Sequence, residues 1–308
     1  MAFMSDTRTN SGVDNISTFR KMFHWEVPGE RFISIMTAGN LATTQALVSQ
    51  LEERTKAPDE RKPSILAAPT MFQVANIVGQ TLRDTIVARA LTGDEAATPN
   101  APNFKASVIL GGQIKGMEPR LYLIYPEGNF IEASPETPFF QIGETKYGRP
   151  ILVRGFESHM SFADITKLLM VSFDSTLKAN LSVGLPLDLM LYKNDEFAPF
   201  HERRITADDP YFESISDGWS QALRDAFHSL PDYELDARSP INGAAISDRT
   251  LARRPLALSI IAHVVFARTI TLPAPSTKST RRSNCAPLGL LSIHVRPVTL
   301  SPAAMFPR

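Results

Sequence analysis

Apolar and polar positions follow short, regular periods near the start of the chain. Residues 19–25 alternate between two faces, and a more apolar run follows at 31–37, so both segments are predicted to be strands. Asn40 then precedes apolar residues at helical spacing and is a residue type that favours the helix N-cap. This pattern predicts a helix that ends before Pro58, because proline interrupts helical hydrogen bonding.

The same periodicities continue to about residue 227. Thr70 and Gln73 have capping-box spacing at the start of a second helix, which runs to about Leu91, and Ser161 is the predicted N-cap of a third helix. Further strands are predicted at 105–112, 120–125, 129–133 and 187–192, a last helix at 218–227, and a solvated loop at Asp208 and Asp209. This order predicts an α+β fold in which helices are layered on an antiparallel sheet.

Composition places the chain among ordinary globular proteins. Its 308 residues are 43% hydrophobic and 21% charged, enough for one large domain or two small ones. The single cysteine, Cys285, excludes an internal disulfide and suits a reducing compartment, so a cytoplasmic location is expected. The sequence shows no signal-peptide pattern, and its longest apolar candidate, 256–272, is interrupted by His263 and Arg268, so we expect no membrane span.

The formal net charge of zero conceals two oppositely charged regions. Residues 236–308 contain ten basic and two acidic side chains, which gives +8, so residues 1–235 carry −8. The second region also contains many prolines, which argues against long regular elements. We therefore expect a folded domain at 1–235 and a poorly ordered basic tail at 236–308.

A specific string of residues connects the chain to a known family. Residues 5–22 read Ser-Asp-Thr-Arg-Thr-Asn-Ser-Gly-Val-Asp-Asn-Ile-Ser-Thr-Phe-Arg-Lys-Met, and 37–45 read Thr-Ala-Gly-Asn-Leu-Ala-Thr-Thr-Gln. Both segments resemble proteasome-type peptidases, most closely the bacterial ancestral-β-subunit (Anbu) branch. The resemblance covers about 1–235 and implies the αββα sandwich of N-terminal-nucleophile hydrolases.

The resemblance also implies roles for individual residues. In this family a threonine hydroxyl attacks the peptide carbonyl, and the free α-amine of the same threonine is the base. Lys21 is expected to lower the pKa of that amine, Asp6 to hold Lys21, and the Gly39 N–H to stabilise the oxyanion. Ser182 and Asn180 are expected to supply supporting hydrogen bonds. Taken singly, Asp6 could cap a turn, Lys21 could extend to the sheet edge, and Gly39 could form a tight turn.

The chain departs from the family at both ends. The family's nucleophile lies about one strand before Ser5, whereas only Met1, Ala2, Phe3 and Met4 precede it here, and none of them can replace a threonine. We expect the polypeptide as written to hydrolyse no peptide, and its true start to be in question. The tail resembles nothing known to us, and a wrong reading frame, a fusion or a natural basic extension would each explain it.

Three functions follow from these observations. The first is a threonine-type peptidase subunit that acts on peptides or unfolded proteins and self-associates into a ring or helical oligomer, and the second is a non-catalytic assembly subunit of the same fold. Binding of nucleic acid through the basic tail is the third and weakest, because only Phe266 and Phe306 could stack on bases there. No cofactor is expected, and His24, His159, His201 and His228 lack metal-ligand spacing, so no metal is expected.

Overall fold

A computed structural model describes residues 1–10, 16–57, 59–61, 63–91 and 103–233. Cys285, the apolar run at 256–272 and the predicted tail at 236–308 lie outside the described residues. The described residues form ten strands: β1 (Ala2–Asp6), β2 (Arg8–Asn10), β3 (Ile16–Thr18), β4 (Met22–Val27), β5 (Arg31–Gly39), β6 (Ala106–Ile114), β7 (Arg120–Ile124), β8 (Phe130–Glu132), β9 (Leu187–Tyr192) and β10 (Pro199–Ile205). They also form five helices: α1 (Leu41–Thr55), α2 (Met71–Leu91), α3 (Arg149–Gly155), α4 (Phe162–Ala179) and α5 (Pro210–His228).

All strand pairs in the described part of the chain are antiparallel, as the sequence predicts. The larger sheet has five strands in the order β4-β5-β6-β7-β8. A second sheet has the order β1-β9-β10, and β2 with β3 forms a separate hairpin. Helix and sheet are therefore mixed, which confirms the predicted class.

Three apolar clusters show which elements pack together. The largest joins the five-stranded sheet to α1 and α2, and its centre includes Ile35, Leu82 and Leu110. A second cluster joins the three-stranded sheet to α4 and α5. In the third, strands of the two sheets meet, and the rings of Phe32 and Tyr192 stack with their centroids 4.4 Å apart.

Side-chain caps place several helix starts where the sequence predicts them. Asn40 accepts a hydrogen bond from the Thr43 N–H (3.0 Å), Thr70 from the Gln73 N–H (3.2 Å), and Ser161 from the Asp164 N–H (3.1 Å). These oxygens satisfy backbone donors that have no partner within the helix.

Asp209 corrects the prediction for the last helix. Instead of lying in a solvated loop, Asp209 is buried and accepts hydrogen bonds from the N–H groups of Tyr211 (3.0 Å) and Phe212 (3.1 Å). It also pairs with Arg203, whose Nη2 lies 2.6 Å from its carboxylate. The helix therefore begins at Pro210, eight residues before the predicted start at Gly218.

Candidate functional site

Asp6 and Lys21, the two charged residues singled out from the sequence, form an ion pair. Lys21 Nζ donates to Asp6 Oδ1 (2.8 Å) and also to the carbonyl oxygen of Arg8 (2.6 Å). The side chains are 22% and 12% exposed, so the pair is largely shielded from water. Lys21 immediately precedes β4 and Asp6 ends β1, which means that the two strand ends fix the position of the ammonium group.

The second carboxylate oxygen of Asp6 is also held in place. It accepts from the backbone N–H of Arg8 (3.2 Å) and from that of Gly184 (3.4 Å). A Cβ atom at Gly184 would lie 2.1 Å from Nε of Arg8, so a larger residue there would require the Arg8 side chain to move. Arg8 and Gly184 were given no role in the sequence analysis, because their contacts to the ion pair are made by backbone atoms, which leave no residue-type signal.

Gly39 places a backbone N–H at the edge of the same region. The N–H of Asn40 donates to the carbonyl oxygen of Lys105 (3.0 Å), just before β6, and the N–H of Thr37 donates to Lys21 O (2.9 Å) on the opposite edge of β5. Because backbone groups alternate between edges along a strand, the Gly39 N–H points to the same side as that of Thr37, beyond the end of β4. It also stands at the N-terminus of α1, where the helix dipole favours negative charge.

Gly39 cannot readily be replaced by another residue. Its φ is +114°, a conformation that side chains with a Cβ rarely adopt. A Cβ atom would also lie 2.5 Å from Lys105 O. The backbone at this point therefore depends on glycine.

Asn180 is the C-cap of α4 and Ser182 lies in the loop after it; of the two, Ser182 lines the cavity that contains the ion pair. The Ser182 N–H donates to Asn180 Oδ1 (2.8 Å), and Asn180 Nδ2 donates to Glu144 Oε2 (2.6 Å). Ser182 and Glu144 line the same cavity as the ion pair. The supporting roles assigned to the two residues from the sequence stay predictions.

Asp6, Lys21 and Gly39 all line one cavity of about 760 Å³. Its walls come from β1, the end of β5, the loop at 138–144 and one face of α4. Most of the side chains around it are apolar, while the ion pair and the Gly39 N–H provide charge and a hydrogen-bond donor. This combination is typical of a site that binds an organic substrate and polarises one of its groups.

The α-amine of Met1 is far from the ion pair along β1. It donates to Tyr192 O (2.6 Å), and burial lowers its pKa from 8.0 to about 6. Asp6 lies five positions further along the strand, which is roughly 17 Å in extended backbone. The amine of Met1 is therefore not the base beside Lys21.

The described part of the chain contains neither a candidate metal site nor a candidate membrane span. No group of three or more histidine, cysteine or acidic side chains there could hold a metal ion. None of the helices that the structure describes combines the length and apolar character needed to cross a membrane.

Solved structures provide the comparison with known proteins. Anbu from Hyphomicrobium sp. strain MC1 is 47% identical, with a TM-score of 0.68, and the match covers 76% of this chain and 95% of that one. Anbu (ancestral beta-subunit) from Yersinia bercovieri is 44% identical, with a TM-score of 0.69 and coverages of 76% and 95%. The Anbu complex from Pseudomonas aeruginosa, described as a helical assembly, is 41% identical, with a TM-score of 0.70 and coverages of 76% and 93%. No protein-family model matches the chain, and no curated protein matches it.

Proposed function

The chain belongs to the Anbu family of proteasome-like proteins, and from this premise we propose that it is a subunit of a threonine-type endopeptidase. The observation that carries the proposal is the Asp6–Lys21 ion pair, which shares a cavity with the outward-pointing N–H of Gly39. The substrates would be peptides or unfolded proteins.

Each of these groups has a task in peptide hydrolysis. A threonine hydroxyl forms a bond to the carbonyl carbon, and its α-amine takes the hydroxyl proton. The Lys21 ammonium disfavours protonation of a nearby amine, which keeps the amine able to accept that proton. The Gly39 N–H stabilises the negative charge that develops on the carbonyl oxygen, and the amine then protonates the leaving nitrogen.

The site also needs a nucleophile beside Asp6, Lys21 and Gly39. A polypeptide that begins at Met1 has its free α-amine at the opposite end of β1, hydrogen-bonded to Tyr192. We therefore predict that such a polypeptide does not hydrolyse peptides, whereas one preceded by a strand that begins with threonine does.

Two polypeptides test the proposal. One begins at Met1, and the other carries in front of Met1 an added strand whose first residue is threonine. Hydrolysis of a fluorogenic peptide is expected only for the second, and Lys21→Ala should lower its rate by about 100-fold or more. The matched control replaces the added threonine with alanine. Robust hydrolysis by the polypeptide beginning at Met1, blocked by a threonine-directed inhibitor, would overturn the proposal.

We propose an αββα sandwich as the arrangement of the domain at 1–235. Its support is the set of three clusters, which pack α1 and α2 on one sheet, α4 and α5 on the other, and the sheets on each other. The basic tail at 236–308 is proposed as a separate region, and the cytoplasm as the location, from the sequence observations above.

A non-catalytic assembly subunit is the second candidate, and α5 supports the self-association that both candidates share. The last eight residues of α5 and the two residues after the helix are exposed, and they include Leu223 (50% exposed), Phe227 (70%) and Leu230 (63%). Apolar side chains clustered on one surface are typical of interfaces between protein subunits. We propose that a second copy of the chain covers them, since the Pseudomonas aeruginosa relative forms a helical assembly.

Light scattering separates the two candidates from a monomer. Phe227→Ser should reduce the average mass at a given concentration, while Tyr233→Ser, a change at another exposed aromatic residue beyond the helix, should have a smaller effect. An assembly subunit would keep this behaviour and remain inactive after a threonine-bearing strand is added. A monomer at all concentrations would contradict self-association.

A further inference from the structure

A chain of hydrogen bonds joins the loop at 138–144 to the end of α4. Glu144 Oε2 accepts from Asn180 Nδ2 (2.6 Å), and Glu144 Oε1 accepts from the Lys146 N–H (2.8 Å). Asn180 Oδ1 accepts in turn from the Ser182 N–H (2.8 Å). The side chains of Glu144 and Asn180 therefore connect two backbone segments that lie far apart in the sequence.

Each end of this link contacts a different part of the candidate site. On one side, a Cβ atom at Gly143 would lie 3.4 Å from the Cβ of Ala38, the residue that precedes Gly39. On the other side, the carbonyl oxygen of Leu181 accepts from Arg8 Nη1 (3.1 Å), and the backbone of Arg8 contacts both members of the ion pair. The link therefore runs from the wall beside the Gly39 N–H to the wall beside the ion pair.

The loop that carries Glu144 contacts α4 without the help of this side chain. Gly148 already packs there, since a Cβ atom at Gly148 would lie 2.5 Å from Ser172 Oγ and 3.0 Å from Thr176 Oγ1. The carboxylate of Glu144 instead fixes how the loop and Asn180 meet at the cavity. Because one partner is ionised, this hydrogen bond is stronger than one between neutral groups. Glu144 is therefore suited to orienting the wall of the site rather than to holding the fold together.

We propose that Glu144 is a positioning residue of the hydrolytic site, which acts through Asn180 to hold Ser182 in place beside the ion pair. Among the described residues, Glu144 and Ser182 line the cavity and Asn180 does not, so Asn180 transmits the constraint between them. A displacement of about 1 Å in groups that orient the reactants can lower a rate by about 100-fold. The effect on catalysis rests on the proposed function, whereas the link itself is measured without hydrolysis.

Steady-state kinetics of the threonine-bearing polypeptide test the effect on catalysis. Glu144→Ala should lower kcat by about tenfold or more and leave KM within about threefold, because the apolar walls that bind the peptide stay in place while the orienting groups move. The matched control is Glu157→Ala, which removes an exposed carboxylate just after α3, outside the cavity, and should change neither constant. An unchanged kcat in Glu144→Ala would overturn the inference.

A swapped pair of side chains tests the hydrogen bond itself. Glu144→Gln alone sets two amides opposite each other, and Asn180→Asp alone sets two carboxylates, so each should lower kcat by about fivefold or more. Combining both changes restores a donor and an acceptor and should return kcat to within about threefold of the parent. Relative to the parent, Asn180→Asp alone should recover as the pH falls from 8 to 5.5, because a proton on either carboxyl group supplies the missing donor. Losses that multiply in the double variant would refute the link.

Amide hydrogen exchange in the chain of 308 residues measures the link without hydrolysis. Glu144→Ala should speed exchange at the Ser182 N–H by about threefold or more, because Asn180 loses the partner that holds its side chain, and the swapped pair should restore the original rate. The Asn180 N–H, which donates to Thr176 O (2.8 Å), is the internal control and should not change. Unchanged exchange at Ser182 would overturn the inference, whereas inactivity of the threonine-bearing parent would overturn the proposed function alone.

Discussion

The two sheets differ in how completely their strands are paired. In the five-stranded sheet, β5 and β6 have neighbours on both edges, and α1 and α2 cover their apolar side chains. In the three-stranded sheet, β1 is equally buried, but among the strands that the structure describes it pairs with β9 alone. The difference shows that burial and hydrogen bonding are separable here, since β1 is packed like an inner strand and bonded like an edge strand.

The groups proposed for chemistry lie where strand pairing stops. Asp6 ends β1, Lys21 precedes β4, and Gly39 ends β5. At a strand end, backbone groups lose their ladder partners and become available to a ligand, while the preceding strand still holds them in position. The five-stranded sheet therefore provides stability, and the cavity beside β1 contains the candidate site.

The largest expected effect is in the well-paired half. Leu82 on α2 is fully buried in the cluster that covers the five-stranded sheet. Leu82→Ala should lower the free energy of unfolding by about 2–5 kcal/mol, because it removes apolar contacts and leaves a cavity. The control, Val87→Ala, changes a residue of the same helix that is 47% exposed and should cost less than about 1 kcal/mol. Urea denaturation gives both free energies of unfolding. Equal losses in the two variants would mean that the core between α2 and the five-stranded sheet is no more important for stability than the exposed face of α2.

Gly39→Ala should have the second largest effect. The new Cβ would meet Lys105 O at 2.5 Å at a φ of +114°, so we expect a loss of about 1–3 kcal/mol. Gly29 is the matched control, since its φ of +69° disfavours alanine but no atom lies within 4 Å of the added Cβ. Thermal unfolding should show a larger loss for Gly39→Ala. If Gly29→Ala lowers the free energy of unfolding by as much, the loss comes from the positive φ alone and the close contact with Lys105 and Ala106 adds nothing to it.

Lys21→Met tests the ion pair at the end of the cavity. It leaves the shielded carboxylate of Asp6 without its cation, so a loss of about 1–3 kcal/mol is expected. The comparison is Lys167→Met, which breaks an ion pair with Asp164 in which both side chains are about half exposed, and which should cost less than about 1 kcal/mol. Chemical denaturation at neutral pH measures both. A stable Lys21→Met variant would mean that Asp6 is already satisfied by its backbone donors.

Elements with clear periodicity were predictable from the sequence, and those without it were missed. The strands and helices with alternating or helical apolar spacing, such as α1 and β9, lie close to their predicted positions. β10 was not predicted, because five of its seven residues, Phe200 to Arg204, are exposed and three of those five are charged, so apolar residues do not alternate along it. α3 is short and contains Pro150, which reads as a helix breaker, although proline is accepted in the first turn.

The candidate site was predictable to a different extent. Asp6, Lys21 and Gly39 were predicted from the family resemblance. The alternation of apolar residues and the pattern of charge do not indicate that the ends of β1 and β5 and the start of β4 lie together. The pairing of β1 with β9 could not be predicted, since neither alternation nor charge indicates which strand lies beside another one far away in the sequence. Likewise, the hydrogen bonds from Arg8 and Gly184 to Asp6 use backbone atoms, whose direction no residue type specifies.

The smallest expected effect concerns the start of β1. Burial lowers the pKa of the Met1 amine from 8.0 to about 6, so the unfolded chain binds more protons than the folded one between those values. The free energy of unfolding should therefore rise from pH 6 to pH 8, by roughly 1 kcal/mol after allowance for partial exposure. Below pH 6 the amine is protonated in both states, and above pH 8 it is neutral in both, so this contribution levels off outside the window.

Denaturation between pH 5.5 and 8.5 measures this dependence in protein whose intact mass shows that Met1 is retained. The control is the same protein with an acetylated α-amine, which cannot titrate and should lose this part of the pH dependence. Other groups, such as histidine, titrate in the same range, so only the difference between the two proteins reports on Met1. An identical pH dependence would mean that the amine is solvated as in the unfolded chain. The hydrogen bond from the Met1 amine to Tyr192 O would then be open to water, and the protected pairing of β1 with β9 would begin only at Phe3.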